Sequence, residues 1–185
     1  HASSSKPKYF EFTPIELWAL TERLKLAVPT AASSDASSDV GHAVEFLHKV
    51  SNVKIRGARG YVGTSNIVWN SLPFSLQYCK NMLALWMTDC DATMISGLNS
   101  VKATVKRLVV HYTLEKLSQF LADPESTSPY AAQQKWCKVE DVDLSFNNIS
   151  ELDESLILLD RVERLNLSHN CLVDIGANLQ HLTNL

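Results

Sequence analysis

Two stretches of this 185-residue chain repeat one another at a constant offset, the step from Val139 to Val162. Val139, Val142, Leu144, Asn147 and Ile149 recur as Val162, Leu165, Leu167, Asn170 and Leu172. The same offset carries Leu152, Leu159 and Val162 onto Ile175, Leu182 and Leu185. A period of this length with apolar side chains at fixed phases marks a supersecondary unit that cannot bury its own apolar face. It must stack on a neighbouring copy of itself.

The spacing fits LxxLxLxxNxL, the leucine-rich-repeat pattern. Each copy predicts a short strand, with Val142 and Leu144 or Leu165 and Leu167 turned into a shared core. The Asn147 and Asn170 amides then satisfy backbone groups that the turn leaves unpaired. Weaker copies lie upstream. Met82, Leu85, Met87, Cys90 and Ala92 fit the pattern with Cys90 in the Asn slot, and Val105, Leu108, Val110 and Thr113 follow at the same offset. Val50, Val53 and Ile55 form a further strand, in phase with Met82, Leu85 and Met87 at a longer step. The step from Leu108 to Val142 is longer again, so that unit carries an inserted loop, expected at about residues 122–135 where Asp123–Pro129 has loop composition. Five strands are predicted in all. The pattern stops at Leu185, at the phase of the next opening leucine, so the expectation is an array truncated at the C-terminus.

Residues 1–8 read as a polar leader or tag. Residues 9–49 read as a helical N-terminal cap over the first repeat. Thr13, Pro14 and Glu16 form a capping box with proline at the first helical position, opening an amphipathic helix to about Leu26 with Ile15, Leu17, Leu20 and Leu24 as apolar contacts. A flexible loop is expected at about residues 29–40, then a second helix capped by Asp39 over Gly41–His48. Residues 50–185 hold the repeats. The expected fold class is therefore an α/β leucine-rich-repeat solenoid, with short parallel strands on its concave face.

Charge narrows the function. The chain carries 17 basic and 20 acidic side chains, a balance of −3 that argues against binding nucleic acid by neutralising phosphates. The balance is uneven: residues 1–110 hold 12 Lys/Arg against 8 Asp/Glu, and residues 111–185 hold 5 against 12. No apolar run is long enough to span a bilayer, and no membrane contact is expected from this segment. Cys79, Cys90, Cys137 and Cys171 lack CxxC or zinc spacing and read as free thiols of a cytoplasmic chain, the rival being two disulfides in a secreted one, with Cys90 in the core and the slowest to react.

The residues Asp143–Ser155, Leu165–Asn170 and Asn178–Leu182 resemble the leucine-rich-repeat region of the Nischarin family of imidazoline-receptor-like proteins, as do Thr64–Val68, Leu72–Phe74 and the stretch around Cys90–Ala92. The resemblance spans roughly residues 40–185. A related family, the interactor of the liver-kinase-B-type tumour-suppressor kinase, has a similar layout at Trp136, Leu144, Asn147, Leu167 and Asn170. The Nischarin resemblance implies a cytoplasmic and endosome-associated scaffold, with an integrin tail, small GTPases of Rac and Rab type, and effector kinases as partners, and a role in restraining cell migration. The lipid-binding PX domain of that family is not visible in these residues.

Chemical motifs are sparse. Arg56–Gly63 has the glycines of a phosphate cradle but neither the GK[ST] ending of a P-loop nor a helix to present its amides, and the rival reading is an irregular loop. The six histidines form no HExxH pair, and no GxSxG elbow is present. No catalytic residue, cofactor or metal is assigned. Asn148–Ser150 and Asn166–Ser168 are formal glycosylation sequons that the repeat pattern itself supplies.

The positions flanking the second and third leucines turn away from the core. They place Lys54, Arg56, Trp86, Thr88, Val109, His111, Asp143, Ser145, Asn166 and Ser168 on one concave face, with Cys90, Asn147 and Asn170 as the structural ladder beneath. An exposed Trp86 beside Val109 marks a protein-binding patch, unless loop or helix residues cover it or the face is a solvated sheet. The expected function is a non-catalytic interaction module binding a protein partner. The rivals are an enzyme hidden in residues 1–80, and a structural cap of a longer solenoid whose other repeats bind.

Overall fold

Six short strands lie side by side in one parallel sheet, in the order β1 (Phe10–Phe12), β2 (Asn52–Arg56), β4 (Ala84–Thr88), β6 (Arg107–His111), β7 (Asp141–Asp143) and β8 (Arg164–Asn166). The computed structural model describes residues 8–26, 40–59, 69–123 and 126–185. The leader to residue 7, most of the loop expected at 29–40, the Asp39 cap and Thr64–Val68 lie outside the described residues. A second, two-stranded parallel sheet joins β3 (Phe74–Ser75) to β5 (Ile95–Ser96). With a few short helices, the chain is an α/β fold built on a mostly parallel sheet.

The register follows the sequence spacing. Val53 pairs with Leu85, Leu85 with Leu108, Leu108 with Val142, and Val142 with Leu165. Val53, Leu85, Leu108 and Val142 are fully buried in one continuous core, and Leu165, half-buried, packs against it. Consecutive parallel strands require a crossover, and here it is made by short loops, 3₁₀ turns and one-turn helices such as α3 (Asn99–Lys102) and α4 (Ser118–Leu121).

β1 adds a strand to the helical cap expected over residues 9–49. Phe10–Phe12 pairs in parallel with Val53–Ile55 and extends the sheet by one strand. So short an alternating stretch does not read as a strand, and the backbone partner that fixes it, β2, follows in the chain only after both N-terminal helices. Phe12 packs on the core, while Phe10 meets the Phe46 ring edge-on at 5.3 Å.

The helices follow their local signals. α1 (Pro14–Lys25) opens with the capping box intact: the Glu16 N–H donates to Thr13 Oγ1 (3.3 Å), and the Thr13 N–H donates to Glu16 Oε2 (2.7 Å). Leu17 and Leu24 are buried, and Thr21 Oγ1 accepts from the Ser75 N–H (3.0 Å), tying the helix to β3. α2 (Gly41–Lys49) buries Leu47. The inserted segment is anchored by Trp136, which is wholly buried, donates from Nε1 to the Leu121 carbonyl (3.3 Å) and stacks on Phe120 at 5.4 Å. Lys102 is buried beside it, with Nζ on Gln134 Oε1 (3.0 Å). Burial holds the Lys102 ammonium below its usual range, against a smaller opposing pull from Asp123.

Candidate functional site

The turns that end the strands set the geometry of the exposed face. After β4, β6, β7 and β8 the chain bends through Asp89, Tyr112, Phe146 and His169, all with φ between 53° and 57°. A positive φ is sterically costly for any side chain with a Cβ. The residue that follows each, Cys90, Thr113, Asn147 or Asn170, turns back into the fold. Backbone bonds stack these turns on one another: the Tyr112 N–H donates to the Phe146 carbonyl (2.9 Å), and the Phe146 N–H to the Ser168 carbonyl (3.1 Å).

Asn147 is the best-satisfied of the ladder residues. Its Oδ1 accepts from the Thr113 and Leu114 N–H groups (2.9 and 3.0 Å), and its Nδ2 donates to the Val110 and Leu144 carbonyls (2.6 and 2.9 Å). One buried amide thus links its own turn to the preceding one. Asn170 repeats the arrangement less completely, accepting from the Ile149 N–H (3.1 Å) and donating to the Leu144 and Leu167 carbonyls (2.8 and 2.9 Å). Cys90 occupies the same position with only weak bonds, among them Sγ to the Thr88 carbonyl (3.1 Å). Burial pushes its thiol up to about 12. All four cysteines are free thiols, but Cys79 is buried as well, its thiol pushed up to about 11 by burial, so Cys90 is not alone in the core.

The Arg56–Gly63 stretch has no phosphate cradle in its described part. The Gly57 N–H donates to the Thr88 carbonyl (2.8 Å), and a Cβ on Gly57 would lie 1.8 Å from the Asp89 carbonyl oxygen. Here glycine is required by close backbone approach. Asn70, which the sequence did not single out, clasps the next residue through Ala58 N–H to Oδ1 and Nδ2 to the Ala58 carbonyl (both 2.8 Å). Arg59 pairs with Asp89 at 2.8 Å, so its charge is already matched within the chain.

The register places the predicted face residues in two rows across the sheet. Lys54, Trp86, Val109, Asp143 and Asn166 form one, and Arg56, Thr88 and His111 the start of the other, with Ser145 and Ser168 beyond. Two residues expected on the open surface are closed to solvent. Val109 is 4% exposed, a short side chain in register between Trp86 and Asp143, and Ser145 is 1% exposed because it is drawn in by Asp143 and His111. Trp86 is half-buried. Lys54 Nζ lies over it at 5.1 Å and Tyr9 meets it edge-on at 6.2 Å, so part of the expected patch is covered from β1's side. The buried Trp86 indole N–H has no acceptor among the described residues.

His111, Asp143 and Ser145 come together in a way that resembles a serine triad and differs in the feature that matters. In a triad the carboxylate holds one imidazole nitrogen while the other faces the hydroxyl. Here His111 Nε2 alone faces both, at 3.1 Å from Asp143 Oδ1 and 3.3 Å from Ser145 Oγ. The Ser145 hydroxyl donates to Asp143 (2.6 Å), so no base is positioned to activate it. Partial burial works against the Asp143 charge, but the Ser145 hydroxyl and N–H and the His111 ring outweigh it and hold the carboxyl below its usual range. Asn166 Nδ2 adds a further bond to the same oxygen (3.2 Å). The arrangement is a cross-strand polar clasp between β6, β7 and β8.

Among the described residues, no group of three or more His, Cys, Asp or Glu side chains is placed to hold a metal ion. Nor is any helix there long and apolar enough to cross a membrane. No protein-family model matches this chain.

Proposed function

We propose that the chain is a stretch of leucine-rich-repeat solenoid acting as a non-catalytic protein-interaction module, within a cytoplasmic, endosome-associated scaffold of Nischarin type. The observation that supports it best is the strand register, which joins Leu85, Leu108, Val142 and Leu165, the same phase of each copy of the sequence pattern. The Asn147 and Asn170 amides sit at the same point of successive turns. Such a frame holds one sheet face rigidly towards solvent, and contact residues on that face need little ordering when a partner arrives. The function is then affinity and placement, with no bond made or broken.

The partners that the family resemblance suggests are small GTPases of Rac and Rab type, effector kinases and an integrin tail. The test is direct titration of the immobilised chain with purified GTPases in both nucleotide states, an effector-kinase domain and an integrin-tail peptide. Wild type is compared with the Trp86→Ala/His111→Ala double variant. Saturable binding by one of these, weakened in the variant, is the expected result. Binding by none overturns the partner assignment. Turnover in a hydrolase panel that one polar substitution abolishes overturns the non-catalytic reading.

A further inference from the structure

Six aromatic rings run in a continuous diagonal across the exposed face. Tyr9 meets Trp86 (6.2 Å), Trp86 meets His111 (6.2 Å), and His111 meets both Tyr112 (6.3 Å) and Phe146 (5.8 Å). Phe146 then stacks on His169 at 4.3 Å, nearly parallel. The band starts beside β1 and ends in the turn after β8. Its second half consists of residues in the positive-φ turns, which hold Tyr112 50% and Phe146 40% exposed. A cleft of about 220 Å³ opens beside these two rings, with Leu114 and Glu115 along its other wall.

The charges along the band are unequal. Lys54 is paired with Glu11 (3.5 Å), and Arg59 with Asp89 (2.8 Å) while its guanidinium lies over one face of the Tyr112 ring (4.4 Å); Arg107 and Arg164 share Asp141 (3.6 Å each), and Asp143 is taken by His111 and Ser145. Arg56 is exposed and has no ion-pair partner among the described residues. A chain with net negative charge thus presents an unneutralised guanidinium on the row that runs through Thr88 to His111 of the strip, and a carboxylate, Glu115, beside the cleft.

We propose that this band binds an extended segment of a partner protein that carries an acidic residue against Arg56 and an apolar or aromatic side chain on the Tyr112–Phe146 rings. This deepens the interaction-module reading and rests on it. Arg56 lies in register with Thr88 and His111, two strands away, and Phe146 is one strand further. At a strand spacing of ~4.8 Å that is about 10–14 Å, or about three to four residues of extended chain. Rigid aromatic anchors give most of the affinity at such surfaces, while the charge fixes orientation and excludes wrong partners. Glu115 repels a second acidic group at the cleft and so sets the direction of the segment.

The test is selection from a displayed library of random short peptides on the folded chain. Titration of the selected peptides follows, by fluorescence anisotropy, against wild type, Arg56→Glu, Arg56→Lys, Phe146→Ser, Phe146→Tyr and the control Arg23→Glu on α1. Circular dichroism checks that each variant is folded. The expected consensus pairs Asp or Glu with Leu, Phe or Tyr three to four positions away. Arg56→Glu and Phe146→Ser should each weaken binding about tenfold or more, and Arg56→Glu should shift preference towards Lys or Arg. The conservative variants and Arg23→Glu should retain binding. A basic consensus, or binding indifferent to both Arg56→Glu and Phe146→Ser, overturns this surface and leaves the module reading standing. Absence of any enriched peptide also overturns it, while the module reading is judged separately by the protein titrations above.

Discussion

Removing the Asn147 side chain should cost more than removing that of Asn170, although the two occupy equivalent places in the repeat. The Asn147 amide is buried and serves the Thr113 N–H, the Leu114 N–H and the Val110 carbonyl, and the two N–H groups make no other hydrogen bond among the described residues. Leu144's carbonyl keeps Asn170 as a second donor. Each buried group left unpaired costs about 1–3 kcal/mol, but Thr113 is only half-buried and water can reach part of the gap, so Asn147→Ala should lose about 3–5 kcal/mol. Asn170 is less buried and serves fewer isolated groups, so Asn170→Ala should lose about 1–2 kcal/mol.

A third variant separates hydrogen bonding from packing. Asn147→Asp keeps the acceptor for the two N–H groups but turns a carboxylate towards the Val110 and Leu144 carbonyls. Burial and those carbonyls raise the folded-state pKa of such a carboxyl above its unfolded value. Its stability deficit is therefore largest at neutral pH and shrinks as the pH falls through that raised value, when the protonated oxygen can donate again. Urea denaturation of the three variants and wild type at neutral and mildly acidic pH reads these differences. A loss for Asn170→Ala equal to or above that for Asn147→Ala would refute the argument, as would an Asn147→Asp deficit that grows on acidification.

Three further outcomes follow from the packing. Without reductant, denatured protein should titrate four thiols, while in the native state Cys137 and Cys171 react and Cys79 and Cys90 stay protected; rapid native labelling of Cys90 would contradict its burial. Gly57→Ala forces a Cβ onto the Asp89 carbonyl oxygen and should lower stability by about 3 kcal/mol, read as a fall in Tm. Lys102→Met should leave stability unchanged or raised at neutral pH. The Lys102 pKa is lowered by burial, so charging it opposes folding, and any advantage of methionine should disappear as the pH rises through the unfolded lysine value. A large loss at neutral pH would mean that the Gln134 bond and the Trp136 ring more than offset the desolvation.

The pairing of Leu85, Leu108, Val142 and Leu165, the capping box at Thr13, and the amide positions of Asn147 and Asn170 were legible in the sequence. Each depends on spacing along the chain, and spacing survives translation into structure wherever a repeating unit buries the same side chains at every step. Strand β1, the shielding of Val109 and Ser145, the contact of Tyr9 with Trp86 and the second core thiol at Cys79 were not legible. Each depends on neighbours distant in sequence that carry no periodic mark. The sequence thus determined by itself the apolar positions on which the strands pair and the amides at two of the turns. Tertiary structure alone decided that the turn residues Tyr112, Phe146 and His169 stack into the aromatic band, because positive-φ turns from successive units come within ring-stacking distance only once the strands between them are paired.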